Sequence, residues 1–257
     1  MNTHQQAVHD QFDAQSLAYL QSAVHANGPD LMRARELVQQ TLPVTAIGLD
    51  IGCGAGHLSY ALSPLVSRLV ALDLSAAMLA TVREVANSIA ITNIETMSGS
   101  AACLPFADSS FCFVATRYSA HHWINIEQAM AEMCRVLKPG GYLLIIDVTT
   151  SENPLVDTHL QALELLHDRS HVRDRSEMEW RQLFQQAEVE MIEYAHWPVR
   201  LEFSSWVGRI ATPPAKVTMI RQLQKEAPTE VSDALAIEDD GSMTIQTALI
   251  WGQIKLK

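Results

Sequence analysis

Residues 46–58 read AIGLDIGCGAGHL, and this stretch decides the fold. The apolar run Ala46 to Ile51 has the length of a buried strand and ends in Gly52, Gly54 and Gly56, separated by single residues. Missing Cβ atoms let such a turn bend sharply and approach a ligand closely. A helix is expected to start near Gly56 and run to about Leu65. Its first turn would offer unpaired N–H groups and a positive dipole end to a polar or anionic group.

Strand–helix alternation continues outward from this unit. Arg68 to Asp73 (RLVALD) reads as a second strand, and Ser75 to Ala90 as a helix capped by Ser75. Asn93 to Ser98 is a weaker third strand and Phe111 to Thr116 (FCFVAT) a fourth, with a helix from about Glu127 to Leu137. Lys138 to Gly141 reads as a turn and Tyr142 to Val148 (YLLIIDV) as a fifth strand. Strands that are apolar throughout, with helices between them, indicate a parallel sheet covered on both faces.

The flanks differ from this middle. Ala14 to Val24 has helical apolar spacing, and Asp30 is placed to cap a second helix through Leu31, Leu37 and Val38. Past Ser151, helices are expected at Pro154 to His167, Ser176 to Ala187 and over about Ser204 to Leu235. Strands are expected at Val189 to His196 and Thr244 to Ile254. The predicted fold is α/β: a doubly wound, mostly parallel, seven-stranded Rossmann-like sheet with helical lid insertions over its carboxyl edge, where open α/β sheets bind ligands. Residues 1–45 form a helical segment covering the ligand site, 46–150 a ligand-binding core, and 151–257 the lid with the last two strands. The lid apolar residues Leu160, Leu163, Leu165, Leu166, Leu183 and Phe184 read as interior packing.

Composition narrows the function. Of 257 residues, 48% are hydrophobic and 18% charged, enough apolar material for a packed interior. A net charge of −11 opposes unaided nucleic-acid binding, because no basic excess displaces counterions. No export signal is visible, and no apolar run approaches the ~20 residues of a membrane span. Cys53, Cys103, Cys112 and Cys134 show no C-x-x-C pairing and read as buried, reduced thiols. A cytoplasmic protein, monomeric or homodimeric, is the expectation.

The glycine turn differs from a dinucleotide fingerprint, whose third glycine would stand where His57 does. Asp50 precedes the turn, and Asp73 ends the next strand some 20 residues on. In a doubly wound sheet, a carboxylate at that place accepts hydrogen bonds from both ribose hydroxyls of a nucleoside. A bare glycine turn can merely connect strand to helix; strand, acid, glycines, helix, strand and acid in series point to a nucleoside-containing ligand.

With these residues the chain resembles class I methyltransferases that use S-adenosyl-L-methionine, in the branch of the ubiquinone/menaquinone C-methyltransferases. The resemblance lies in LDIGCGAG (Leu49 to Gly56), LDLSAAML (Leu72 to Leu79), LPFADSSF (Leu104 to Phe111) and RVLKPGG (Arg135 to Gly141). It implies a cofactor site in which Gly52, Gly54 and Gly56 face the methionine part and Asp73 holds the ribose. Leu74 and Met78 would lie beside the adenine, Ser100 and Ala101 at its edge, with Tyr19 either covering the cofactor or packing on the core. S-adenosyl-L-homocysteine would be the product. Ser100 stands where many relatives have Asp, and Cys112 where they usually have Asp after the Phe; a buried structural effect is expected at Cys112.

The loop after the fourth strand, Thr116-Arg117-Tyr118-Ser119-Ala120-His121-His122-Trp123, leaves the sheet beside that site. Positioning can supply most of the acceleration of methyl transfer, with a base needed when the acceptor must lose a proton. The His121–His122 pair offers a base or a structural hydrogen bond; a metal would need further ligands that no nearby signature supplies. His171 and Arg173, in the cation-rich run Arg169 to Arg175, could join Arg117 and Tyr118 in binding an anionic small-molecule acceptor. The run could equally be a solvated loop paired with acids such as Asp174 and Glu177. Two rival readings are a catalytically silent protein that binds the cofactor for regulation, and a nicotinamide oxidoreductase, which His57 opposes.

Overall fold

Two apolar clusters, one on each face of a seven-stranded sheet, explain why the strands read as unbroken apolar runs. The computed structural model describes residues 3, 4, 6–8 and 28–255. The strands are β1 (Ile47–Ile51), β2 (Arg68–Asp73), β3 (Ile94–Ser98), β4 (Phe111–Arg117), β5 (Leu137–Thr149), β6 (Val189–Leu201) and β7 (Met243–Ile254). Their order is β3-β2-β1-β4-β5-β7-β6, and only β7 runs against the rest.

Side chains alternate between the two faces. Ile145 joins Leu49, Val114, Met130, Trp180 and Phe184 on one face, under the helices Ile126–Val136 and Glu177–Gln186. Its neighbours Leu144 and Ile146 join Leu37, Leu62, Phe113 and Trp251 on the other, under Pro29–Thr41 and His57–Leu62. A third cluster forms the lid, where Pro154–His167, Phe203–Arg209, Pro214–Lys225 and Thr229–Ala234 bury Leu160, Trp206, Ile220 and Val231 against Leu201, Met243 and Ile245.

Several expectations are corrected. Lys138 to Gly141 does not interrupt the sheet: β5 starts at Leu137 and bulges, Leu137 pairing with Phe111 and Tyr142 with Phe113. β6 continues past His196 to Leu201, because β7 pairs with it along its whole length. Gly28 is the N-cap of the helix Pro29–Thr41; Asp30 lies inside its first turn, buried against Arg117. Leu165 is 52% exposed, on the outer face of its helix, and so is not part of the interior packing. Cys103 is exposed, since it lies in an irregular segment between β3 and β4; all four cysteines are free thiols. Cys112 is half-buried, its Sγ 3.5 Å from the Ile47 amide. Among the described residues, no helix is long and apolar enough to cross a membrane.

Candidate active site

The strand order reverses between β1 and β4, and a cavity of about 370 Å³ opens at the carboxyl ends of these strands. Gly52 (φ +65°) and Gly54 (φ +50°) form one wall of it. A Cβ on Gly52 would lie 2.0 Å from Ser119 Oγ, whereas one on Gly54 would meet nothing within 4 Å and would project into open space. Gly56, at φ +91°, turns the chain into the helix and does not itself line the cavity. Asp73 fastens the turn: its Oδ2 accepts from the Gly54 amide and its Oδ1 from that of Ser75, both at 2.9 Å. Carboxylate oxygens have further lone pairs, so the same group can still accept from a diol.

Asp50 is almost wholly buried beneath the turn. Ser59 donates to its Oδ2 at 2.6 Å, while its Oδ1, in a residue that lines the cavity, has no partner among the described residues. Burial pushes its carboxyl up to about 7, against the Ser59 hydrogen bond. A cationic group here would satisfy Oδ1 and favour the ionised form. Leu74, Met78, Ser100 and Ala101 line the neighbouring wall. The Ser100 hydroxyl accepts from the Ala102 amide at 3.3 Å.

A family profile described as a methyltransferase domain matches residues 49–145. The uncharacterised protein YafE of Escherichia coli K12 is 41% identical over 199 residues, covering 77% of this chain and 96% of YafE. The crystal structure of YcgJ from Bacillus subtilis superposes with a TM-score of 0.82 at 30% identity, covering 88% of this chain and 98% of that one. A demethylmenaquinone methyltransferase from Shouchella clausii is 30% identical over 59% of this chain and 66% of its own length. This chain belongs to the class I S-adenosylmethionine-dependent methyltransferases. S-adenosylmethionine is therefore its cofactor and S-adenosylhomocysteine the product. When bound, the sulfonium supplies an electrophilic methyl carbon. The orphaned Asp50 oxygen and the space in front of Gly54 fit a ligand with a cationic amino acid end.

In this methyltransferase the other half of the cavity lies under the lid, between the apolar side chains Val148, Val199, Leu201, Trp206 and Ile245 and a set of histidines and acids. His121 Nδ1 lies 2.6 Å from Asp147 Oδ1, and its amide donates to Oδ2 at 3.1 Å. Burial alone would lower the His121 pKa, but the charge and hydrogen bond of Asp147 overcome it and raise it to about 9. His122 is held neutral, its pKa pushed down to about 3 by burial and by the charge of His121; its Nδ1 is 3.1 Å from the Ser170 carbonyl. His171 is also kept neutral, at about 4, for the same two reasons. Glu164, with its burial opposed by His167, is held below the usual carboxylate range.

The structure gathers most expected residues at the cavity and places Arg173 away from it. Tyr118 lines the cavity at φ +51°, with the Arg117 guanidinium 4.6 Å from its ring centre; burial pushes its phenol up to about 12. Arg117 also borders the cavity, but its Nε is paired with Asp30 inside the protein. Arg173 is not at the cavity: it bridges Glu179 and Asp157 at 2.8 and 3.1 Å, the acid-paired alternative with different acids. Arg173 is therefore not placed to meet an anionic acceptor. Tyr19 lies outside the described residues. From the N-terminal segment, His4 and Val8 do reach the cavity, with His4 Nε2 3.0 Å from the His122 carbonyl oxygen. Asp147, Glu164, His167, Asp168 and Trp206 were not singled out from the sequence. Gln161, Glu164 and His167 recur every three residues on one helix, a polar stripe that was there to be noticed.

Proposed function

We propose that this enzyme methylates a small molecule held in the lid half of the cavity, with the cofactor in the glycine-turn half. In this reading the backbone at Gly52 and Gly54 lies along the methionyl part and Asp50 faces its ammonium. Asp73 takes the ribose hydroxyls, while Leu74, Met78, Ser100 and Ala101 enclose the adenine. The observation that carries it is the continuity of one cavity from Asp73 to His121 and His171. The acceptor's nucleophilic atom would lie beside those histidines, with Trp206 and its apolar neighbours excluding water.

Similarity to a demethylmenaquinone methyltransferase supports a small-molecule acceptor, although it extends over only 59% of the chain. The test is incubation with methyl-labelled S-adenosylmethionine and a metabolite library. Transfer of label to a library member together with S-adenosylhomocysteine formation is the expected result. Tight cofactor binding with no turnover on any member would favour a binding protein instead.

A further inference from the structure

The hydrogen-bonding state of His171 is fixed by Gln161. The Gln161 side-chain nitrogen donates to Asp157 Oδ1 at 2.9 Å and to the Asp174 carbonyl at 2.8 Å, so its oxygen is the accepting atom. That oxygen receives the Asp174 amide at 3.0 Å and lies 2.8 Å from His171 Nε2. Nε2 of His171 therefore carries the hydrogen, which leaves Nδ1 with a lone pair and no hydrogen bond among the described residues. His121 is the complement. Its Nδ1 is engaged by Asp147, and its Nε2 makes no hydrogen bond among the described residues, in a side chain 17% exposed that borders the cavity. Asp147 keeps that ring cationic, so Nε2 is a donor. The two ring centres are 5.9 Å apart and both residues line the cavity, so a single polar group beside the two rings is within reach of each.

Building on the function proposed above, we infer that His121 and His171 read a neutral hydroxyl, so that the acceptor is a compact alcohol or phenol methylated on oxygen. A hydroxyl can both accept from His121 and donate to His171, whereas a carboxylate has no proton to give and an ammonium has no lone pair to offer. The surrounding charges agree. The acids Glu164 and Asp168 balance the cations His121 and Arg209 at this end of the cavity, so an anion meets no excess of positive charge there. The apolar walls of Val148, Val199, Leu201, Trp206 and Ile245 suit a hydrocarbon body. In the transfer, the acceptor oxygen bonds the methyl carbon as the carbon–sulfur bond breaks with its electron pair left on sulfur. The hydroxyl proton passes to His171 Nδ1, so one positive charge leaves sulfur and one arises on the imidazole.

The experiment is calorimetric titration of the protein, saturated with S-adenosylhomocysteine, with p-cresol, p-toluate and 4-methylbenzylamine. The expected result is p-cresol binding at least tenfold tighter than either ion. His121→Gln and His171→Phe should each lower p-cresol affinity about tenfold while S-adenosylhomocysteine affinity, the check on folding, stays unchanged. Equal or tighter binding of p-toluate or the amine, no binding by any probe, or p-cresol affinity unchanged in both variants overturns the inference. Failure to bind S-adenosylhomocysteine at all would instead overturn the cofactor site on which it rests.

Discussion

Arg117 and Asp30 form a buried ion pair, Nε to Oδ2 at 2.5 Å, that ties the end of β4 to the first turn of the helix Pro29–Thr41. Both side chains are 5% exposed. Removing one partner of such a pair leaves a charge without compensation and costs about 3–5 kcal/mol, whereas replacing both with apolar groups is often close to neutral. Asp30→Ala is expected to lose stability of that order in urea denaturation. Asp30→Leu combined with Arg117→Met should recover most of it. A double variant as unstable as the single one would show that the pair's geometry, not its burial, is what matters.

The glycine turn separates folding from binding. At Gly52 an added Cβ collides with Ser119 Oγ and meets a positive φ, so Gly52→Ala is expected to cost about 2–3 kcal/mol from strain and overpacking. At Gly54 the φ is also positive, but the new methyl group enters open space, and about 1 kcal/mol is the expected cost. Gly54→Ala should therefore fold and yet bind S-adenosylhomocysteine at least tenfold more weakly in calorimetry. Undiminished affinity in folded Gly54→Ala would remove this turn from the cofactor site.

Asp50 makes cofactor binding depend on pH. In the free protein its carboxyl titrates at about 7, raised by burial, so below that pH it is mostly protonated. A ligand ammonium facing Oδ1 prefers the ionised form, and binding must then release up to one proton. Affinity for S-adenosylhomocysteine should rise up to tenfold per unit as pH increases towards 7 and level off near 8. Calorimetry in buffers of different ionisation heat reads the proton release directly. Asp50→Asn should flatten the profile; a slope that survives this change would assign the proton to another group.

The strands of the core and the glycine turn were legible because each is written locally. An apolar run, three glycines and an acid occupy a dozen consecutive residues, and β2 begins and ends where its RLVALD pattern does. The acceptor end was legible only in part, because its geometry is made by distant contacts. Asp147 looks like one polar residue in the apolar run YLLIIDV until β5 is laid beside β4, which brings it under His121, 26 residues away. Arg173 reads as an anion receptor in the sequence because it sits in the cation-rich run Arg169 to Arg175. The capping box of Ser176 and Glu179 instead sets Glu179 against its guanidinium. His171, two residues earlier, turns the other way onto Gln161.

The His121–Asp147 pair should also shape the stability of the fold against pH. His121 titrates at about 9 in the folded chain, against ~6.5 for an unperturbed histidine. A raised folded pKa contributes stability that is complete below ~6.5 and is lost as pH rises through about 9. His122 and His171, held at about 3 and about 4, act in the opposite sense, stabilising above ~6.5 and losing that contribution as pH falls. Asp50, raised to about 7, and Asp174, raised by burial and by Glu164, work against these two on the acid side, two groups against two. The unfolding free energy should therefore stay nearly level up to about pH 6.5 and fall on the alkaline side by up to about 1.4 kcal/mol per unit, the His121 share reaching about 3 kcal/mol by pH 9. Asp174, whose acid form is favoured by burial and by Glu164, can add to the same limb, so the decisive comparison is with a variant. In His121→Gln, urea denaturation between pH 6.5 and 9 should show that alkaline loss cut by most of its size. If the variant loses as much as the wild type, the proton belongs to Asp174, and His121 is not the cation that Asp147 holds.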